Sequence, residues 1–176
     1  MSEINISTTE AKQEKLFYIV ANIIIINPSN TTCLLLKRSL REKVFPGKWA
    51  FPGGKLEHDD VKRLLTETGN EPINGIDNIM GILAKREAKE ECGLTVDSEK
   101  SAVVSNKVFV RPDAVPVYLA IVTAEYAGGD IVLEEDAFTD FAWVSDAELS
   151  NYDCIDGVPE EARAALVSYD SKEEAV

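Results

Sequence analysis

Three glutamates lie within one turn of a segment with helical periodicity. Glu87, Glu90 and Glu91 occur in the stretch REAKEECGL, residues 86–94. On an isolated helix, a like-charged pair at this spacing is destabilising by about 0.2–0.5 kcal/mol. A solvated helix face is one explanation for such a cluster. The other is an all-oxygen site for Mg²⁺ or Mn²⁺, in which a bound cation would turn the repulsion into coordination.

Two neighbouring features could complete such a site. Arg86 precedes the acids and can pair with one carboxylate, which would fix its orientation. FPGGK, residues 51–55, is predicted to be a strand that ends in Gly53 and Gly54. Glycine permits a tight turn and lets a backbone carbonyl approach a ligand or metal closely. An ordinary turn is the alternative interpretation of the two glycines.

Taken together, FPGGKLE and REAKEECGL resemble the signature of the Nudix hydrolases. That signature is a glycine, five residues, an acid, seven residues, then Arg-Glu-apolar-x-Glu-Glu-x-Gly-apolar. Gly54 matches the opening glycine, and the second half matches without a gap at Arg86, Glu87, Ala88, Glu90, Glu91, Gly93 and Leu94. The sequence departs from the pattern at Asp60, where glutamate is usual. Residues 61–85 separate Asp60 from Arg86, and we expect most of 61–78 to be an insertion.

The resemblance implies a single-domain α/β fold, an α/β/α sandwich around a mixed β-sheet. It implies hydrolysis of the pyrophosphate linkage in a nucleoside triphosphate or an ADP-ribose-like conjugate. Glu87, Glu90, Glu91 and the Gly54 carbonyl would bind Mg²⁺ or Mn²⁺, and Arg86 would act with these glutamates in catalysis. Homodimers are common in the family. A non-catalytic nucleotide-binding or regulatory module is the alternative, because a fold does not enforce activity.

Residues outside the motif are candidates for contact with the substrate. A basic stretch contains Lys37, Arg38, Arg41, Lys43 and Lys48, of which we expect Arg38 and Lys48 to meet phosphates. Trp49 either stacks on a base or packs in the interior. Family members often supply an acid from a late loop, and the candidates are Glu134, Glu135 and Asp136, with Glu135 preferred. A solvated loop is the alternative for both groups.

Composition limits the classes of partner. The 176 residues include 31 acids and 18 bases, for a net charge of −13, which argues against binding to a nucleic acid polymer. The three cysteines lack C-x-x-C spacing, which suggests free thiols in a reducing compartment. The apolar run at residues 17–26 is too short to cross a bilayer, and no cleavage site for a secretory signal follows it. We therefore expect a cytoplasmic protein without a membrane partner.

Periodicity and turn residues predict the order of elements. The N-terminal tail, residues 1–15, is expected to be flexible, the domain to span 16–170, and 171–176 to form a second tail. The predicted strands are 16–26, 33–39, 49–51, 107–110, 115–126 and 138–145. The predicted helices are 61–68, capped by Asp59 or Asp60, then Asp77 to Gly93, and 159–169.

Overall fold

A computed structural model describes residue 4 and residues 6–69 and 71–173. The seven strands are β1 Tyr18–Asn27, β2 Thr32–Arg38, β3 Trp49–Ala50, β4 Gly53–Lys55, β5 Thr95–Val110, β6 Pro116–Gly128 and β7 Phe138–Val144. The three α-helices are α1 His58–Thr68, α2 Ile79–Cys92 and α3 Val158–Glu173. Short 3₁₀ turns form at Gln13–Lys15, Pro72–Asn74 and Asp146–Asn151.

The strands form one mixed sheet in the order β3-β2-β1-β6-β5, with β4 also beside β1 and β7 also beside β2. The first two strands form an antiparallel hairpin, and β1 runs parallel to β6 along nine residue pairs. Both faces of β1 are covered, so its apolar run has no alternation: Ile23, Ile24, Ile25 and Ile26 are at most 1% exposed.

Two apolar clusters lie on opposite faces of the sheet. Ile23 and Ile25 pack with α2 residues on one face, and Ile24 and Ile26 pack with α3 residues on the other. The layers are therefore helix, sheet and helix, which confirms the predicted α/β/α sandwich. On α2, Ala84, Ala88 and Cys92 are spaced four residues apart and are buried. This packing presents the adjacent glutamates of α2 to strand β4.

Several predicted boundaries are wrong. Helix α1 begins at His58, so Asp59 and Asp60 lie in its first turn, and the N-cap residue is Glu57. Helix α2 begins after Asn78 rather than at Asp77. Strand β5 begins at Thr95, twelve residues before the prediction, because an exposed strand at the sheet edge needs no apolar alternation.

The predicted division into a domain and two tails stays a prediction. Residues 1–3, 5 and 174–176 of the predicted tails lie outside the described residues, as does residue 70 of the predicted insertion. The backbone of α3 continues through residue 173. Within the described ranges, every helix is too short or too polar to be a candidate membrane span.

Candidate active site

Two glutamates of α2 lie directly against the two glycines of β4. The Gly53 N–H donates a hydrogen bond to Glu91 Oε2 at 2.7 Å. A Cβ placed on Gly54 would overlap the carboxylate of Glu87, which is only 6% exposed. Gly53 has a different constraint, because a Cβ there would overlap the Ala21 carbonyl of the neighbouring strand. The two halves of the sequence motif are therefore in contact in the structure. The carboxylate of Glu87 occupies the space that a side chain at Gly54 would fill.

The site holds more negative charge than its neighbours neutralise. Burial raises the pKa of Glu87 to about 7, against the opposing effect of Arg86, and nearby acids raise it further. Burial raises the pKa of Glu91 to about 8, partly opposed by the Gly53 N–H. Glu87 and Glu134 raise the pKa of Glu91, and Arg38 lowers it. An added cation would relieve this accumulated charge.

Arg86 fixes the position of Glu87. Its Nη2 donates to Glu87 Oε1 at 2.5 Å and to the Lys55 carbonyl at 2.8 Å, so it joins α2 to β4. Its Nη1 donates to Glu90 Oε2 at 3.2 Å. Glu90 is therefore held by Arg86 and has a 56% exposed side chain, unlike buried Glu87. Across the described ranges, no three Asp, Glu, His or Cys side chains are already arranged as a metal-binding group.

The sequence left the role of Asp60 open, and the structure places it beside Arg86. Asp60 Oδ2 lies 3.4 Å from Arg86 Nη2 and accepts a hydrogen bond from the Glu57 N–H at 3.0 Å. Its side chain is 11% exposed. The acid near the opening glycine thus reaches the arginine of the motif although residues 61–85 intervene.

We expect Asp60→Asn to lower kcat/KM for nucleotide hydrolysis about tenfold, because removing a charged partner of Arg86 loosens the group that holds Glu87. The matched control is Asp59→Asn, because Asp59 is 90% exposed and one residue away. Steady-state kinetics of both variants test the expectation. Equal effects of the two substitutions would contradict it.

Among the three late acids, Glu134 is the one whose charge acts on both Glu87 and Glu91. Its N–H donates to the Glu91 carbonyl at 2.9 Å, and its charge raises the pKa of Glu87 and Glu91. Asp136 instead pairs with Arg41, and Glu135 is exposed. The sequence analysis preferred Glu135, whereas the backbone hydrogen bond between the loop and the end of α2 lies at Glu134.

The predicted substrate residues divide between two places. Arg38 acts electrostatically on Glu91, and its guanidinium donates to Glu42 at 2.5 Å and to the Val44 carbonyl at 3.0 Å. Lys48 pairs with Asp153, and that contact raises its pKa. Trp49 contacts Tyr152 edge-on at 4.9 Å and packs in the cluster on the α3 face. Arg38 therefore acts on Glu91 through its charge, whereas Lys48 and Trp49 contact the segment around residues 152–154.

Comparison with known proteins bears on the family of this chain. The sequence model of the NUDIX domain matches residues 17–77, which ends before the glutamates of α2. The nucleoside triphosphatase NudI of Klebsiella pneumoniae (strain 342) is 32% identical over 129 residues, covering 68% of this chain and 77% of that protein.

Solved structures share the fold. The MutT protein of Methanosarcina mazei Go1 superposes with a TM-score of 0.58 at 21% identity, covering 92% of this chain and 99% of that one. The NUDIX domain of Shewanella oneidensis NrtR, complexed with ADP ribose, gives a TM-score of 0.61 at 16% identity, covering 90% and 95%. This chain belongs to the Nudix hydrolase family, whose members act on acid anhydrides in phosphorus-containing compounds.

Proposed function

We propose that the protein is a divalent-metal-dependent pyrophosphohydrolase of free nucleotides, with nucleoside triphosphates as the first substrate class and ADP-ribose-like conjugates as the second. The observation that carries the proposal is the pair of carboxylates, Glu87 and Glu91, packed against Gly54 and Gly53 with raised pKa values. The similarity to a nucleoside triphosphatase supports the first class. The ADP ribose bound to a protein of the same fold supports the second.

The donor set fits Mg²⁺ or Mn²⁺. Glu87, Glu91 and the Gly54 backbone offer only oxygen ligands, and Glu90 or Glu134 could add another carboxylate. Glu90 would have to leave Arg86 to do so. When bound, the ion would neutralise phosphate charge and lower the pKa of a bound water.

Residues of the chain supply the remaining tasks. Arg86 and the Gly53 N–H orient Glu87 and Glu91, respectively. Arg38 is placed to contact the phosphates, because its charge already acts on Glu91. Either Glu90 or Glu134 could accept a proton from the attacking water, since both lie near the pair and neither is buried.

Without metal, we expect stability to fall as the pH rises from about 4.5 to 8. The unfolded chain releases the protons of both glutamates near pH 4.5, whereas the folded protein retains them until about pH 7 for Glu87 and about pH 8 for Glu91. Protons therefore stabilise the folded state in this interval. Thermal unfolding in chelator at pH 5 to 9 measures the effect. A Glu87→Gln/Glu91→Gln double variant should flatten the profile, and an equally steep profile in that variant would contradict this origin.

The activity is tested with a panel of nucleoside di- and triphosphates, ADP-ribose, dinucleotides and coenzyme A. We expect release of inorganic phosphate, pyrophosphate or a nucleoside monophosphate only when Mg²⁺ or Mn²⁺ is present. The alternative, a nucleotide-binding or regulatory module, predicts binding without turnover. Saturable binding with no product from any member of the panel would favour that module over the enzyme.

The setting of the protein is also a proposal. Cys33 and Cys92 are buried free thiols, and Cys154 is a partly buried one. Free thiols persist in reducing compartments, so we propose a cytoplasmic location. The net charge of −13 supports a small-molecule substrate in preference to a nucleic acid polymer.

We also propose a homodimer, formed through the outer edge of β5. Within the described residues, β5 pairs only with β6. Its second half is exposed and apolar, with Val104 49%, Val108 62%, Phe109 41% and Val110 66% exposed. An exposed apolar edge strand is a template for pairing with another strand.

The charge pattern favours a second copy as the partner of β5. No acid occurs between Glu99 and Asp113, although the chain carries 31 acids. Antiparallel self-pairing about Asn106 would place Val104 opposite Val108 and Val103 opposite Phe109. Pairing of residues 102–110 in the two copies would form about ten backbone hydrogen bonds, the number typical of a stable interface.

We expect a dimer in sedimentation velocity at tens of micromolar, and we expect Val108→Lys to weaken dimerisation at least 100-fold. The control is Val167→Lys, because Val167 on α3 is similarly exposed, at 56%. A monomeric wild type, or equal effects of the two substitutions, would contradict the β5 interface.

A further inference from the structure

The loop between β2 and β3, residues 39–48, lies beside the carboxylate site. Arg38 Nε donates to the Val44 carbonyl at 3.0 Å, and Arg38 lowers the pKa of Glu91. The Ser39 N–H donates to the Ala137 carbonyl at 2.8 Å, which joins this loop to the late loop containing Glu134. The tip of the loop is thus attached to Arg38, the basic residue whose charge acts on Glu91.

The tip carries an exposed aromatic residue with a strained backbone. Phe45 has φ of 53°, a left-handed conformation that is an outlier for a bulky side chain. Phe45 begins a tight turn whose two central residues, Pro46 and Gly47, are the types that such a turn prefers, with Gly47 at φ of 73°. The Lys48 N–H closes the turn by donating to the Phe45 carbonyl at 3.4 Å. The Gly47 N–H donates to the Arg38 carbonyl at 3.1 Å and holds the turn in place.

Core packing does not explain this conformation. The Phe45 side chain is 51% exposed and belongs to neither apolar cluster. Strained residues that the surrounding contacts hold in place occur preferentially at functional sites. Here those contacts hold the exposed ring of Phe45 one residue from Val44, whose carbonyl binds Arg38. Arg38 is the residue that would contact phosphate in the proposed function.

We propose that the Phe45 ring stacks on the nucleobase of the substrate, an inference that rests on the proposed hydrolysis of nucleotides. In a nucleotide the base lies at one end and the phosphates at the other, so a base platform must be offset from the carboxylates. Arg38 supplies that offset, because it contacts the loop tip and acts on Glu91. Stacking uses the face that every base offers, so Phe45 would favour nucleotides over inorganic phosphates with little discrimination among bases.

The sequence left two alternatives for Trp49, stacking on a base or packing in the interior, and the structure shows it packed. Its ring contacts Tyr152 and lies under Lys37 Nζ at 5.9 Å, on the α3 face of the sheet. Strand pairing places Trp49 opposite Lys37, whereas Arg38 pairs with Phe138, which belongs to the cluster on the α2 face.

The test compares a substrate that has a base with an inhibitor that has none. We expect Phe45→Ala to raise KM for a nucleoside triphosphate by about 10- to 100-fold with kcat changed less than threefold, whereas Phe45→Trp retains a wild-type KM. Inhibition by inorganic triphosphate should be unchanged in both variants. The control is Leu40→Ala, which should leave KM unchanged. Leu40 lies in the same loop and is 82% exposed.

Three results would overturn the inference. One is a wild-type KM in Phe45→Ala. Another is an equal loss of affinity for inorganic triphosphate, which would mean that the loop only shapes the phosphate site. The third is a rise in KM in Phe141→Ala but not in Phe45→Ala, since Phe141 on β7 is 43% exposed and adjacent to β2. Failure of the wild type to hydrolyse any nucleotide would instead refute the proposed function.

Discussion

Replacing Glu91 with glutamine is expected to reduce kcat for nucleotide hydrolysis about 10³-fold. The amide has the same shape as the carboxylate and can still accept the Gly53 N–H hydrogen bond, so the fold should persist. It removes the negative charge that attracts the metal, and loss of one such electrostatic contact costs roughly 10²–10³-fold in comparable sites. Steady-state kinetics at saturating Mg²⁺ and at pH 8 measure the loss.

The same substitution should stabilise the metal-free protein at alkaline pH. Burial raises the pKa of Glu91 to about 8, so above that pH the native protein holds a charge that the site disfavours. The neutral amide avoids this cost. We therefore expect a higher Tm for Glu91→Gln than for wild type in chelator at pH 9, and equal Tm values at pH 4.5. A lower Tm at pH 9 would mean that the carboxylate is retained for folding rather than for its chemistry.

Replacing Gly54 with alanine should inactivate the enzyme at little cost to the fold. The added Cβ would overlap the Glu87 carboxylate, which is the end of a flexible side chain and can turn away. The displaced carboxylate would lose its contact with β4 and its alignment with Arg86. We expect at least a 100-fold loss of kcat/KM, because misplacement of about 1 Å can cost 10²-fold.

Gly53→Ala is the matched comparison for Gly54→Ala. Its Cβ would overlap the Ala21 carbonyl, which is backbone of the central strand and cannot move freely. We expect this variant to lose roughly 1–3 kcal/mol of stability or to fail to fold. Urea unfolding of both variants separates the two cases. If Gly54→Ala kept full activity, or unfolded as readily as Gly53→Ala, the assigned contact with Glu87 would be wrong.

Local patterns in the sequence were sufficient for the architecture. The apolar run in residues 16–26 predicted a strand, which is covered on both faces, and helical periodicity predicted α2, which packs through Ala84, Ala88 and Cys92. Both patterns follow from burial within one element. The contact of Glu87 and Glu91 with the glycines was expected from the resemblance, because the motif pairs a glycine turn with an acidic helix.

Features that depend on tertiary contacts could not be predicted in this way. Glu134 is selected over Glu135 by hydrogen bonds between the late loop and the end of α2. Asp60 reaches Arg86 only because α1 begins at His58 and turns it inward. The placement of Trp49 on the α3 face follows from its register with Lys37, which the spacing of residues does not reveal.

Mn²⁺ binding measured by electron paramagnetic resonance at pH 8 tests most directly why two poorly neutralised carboxylates, those of the buried Glu87 and the partly buried Glu91, are kept together. Wild-type protein should take up Mn²⁺ at micromolar to millimolar concentrations, and Mg²⁺ should displace it. Glu87→Gln and Glu91→Gln should each weaken uptake at least tenfold, whereas Asp59→Asn should not. Equal Mn²⁺ uptake by wild type and both glutamine variants, or none by any of them, would contradict a metal site between α2 and β4.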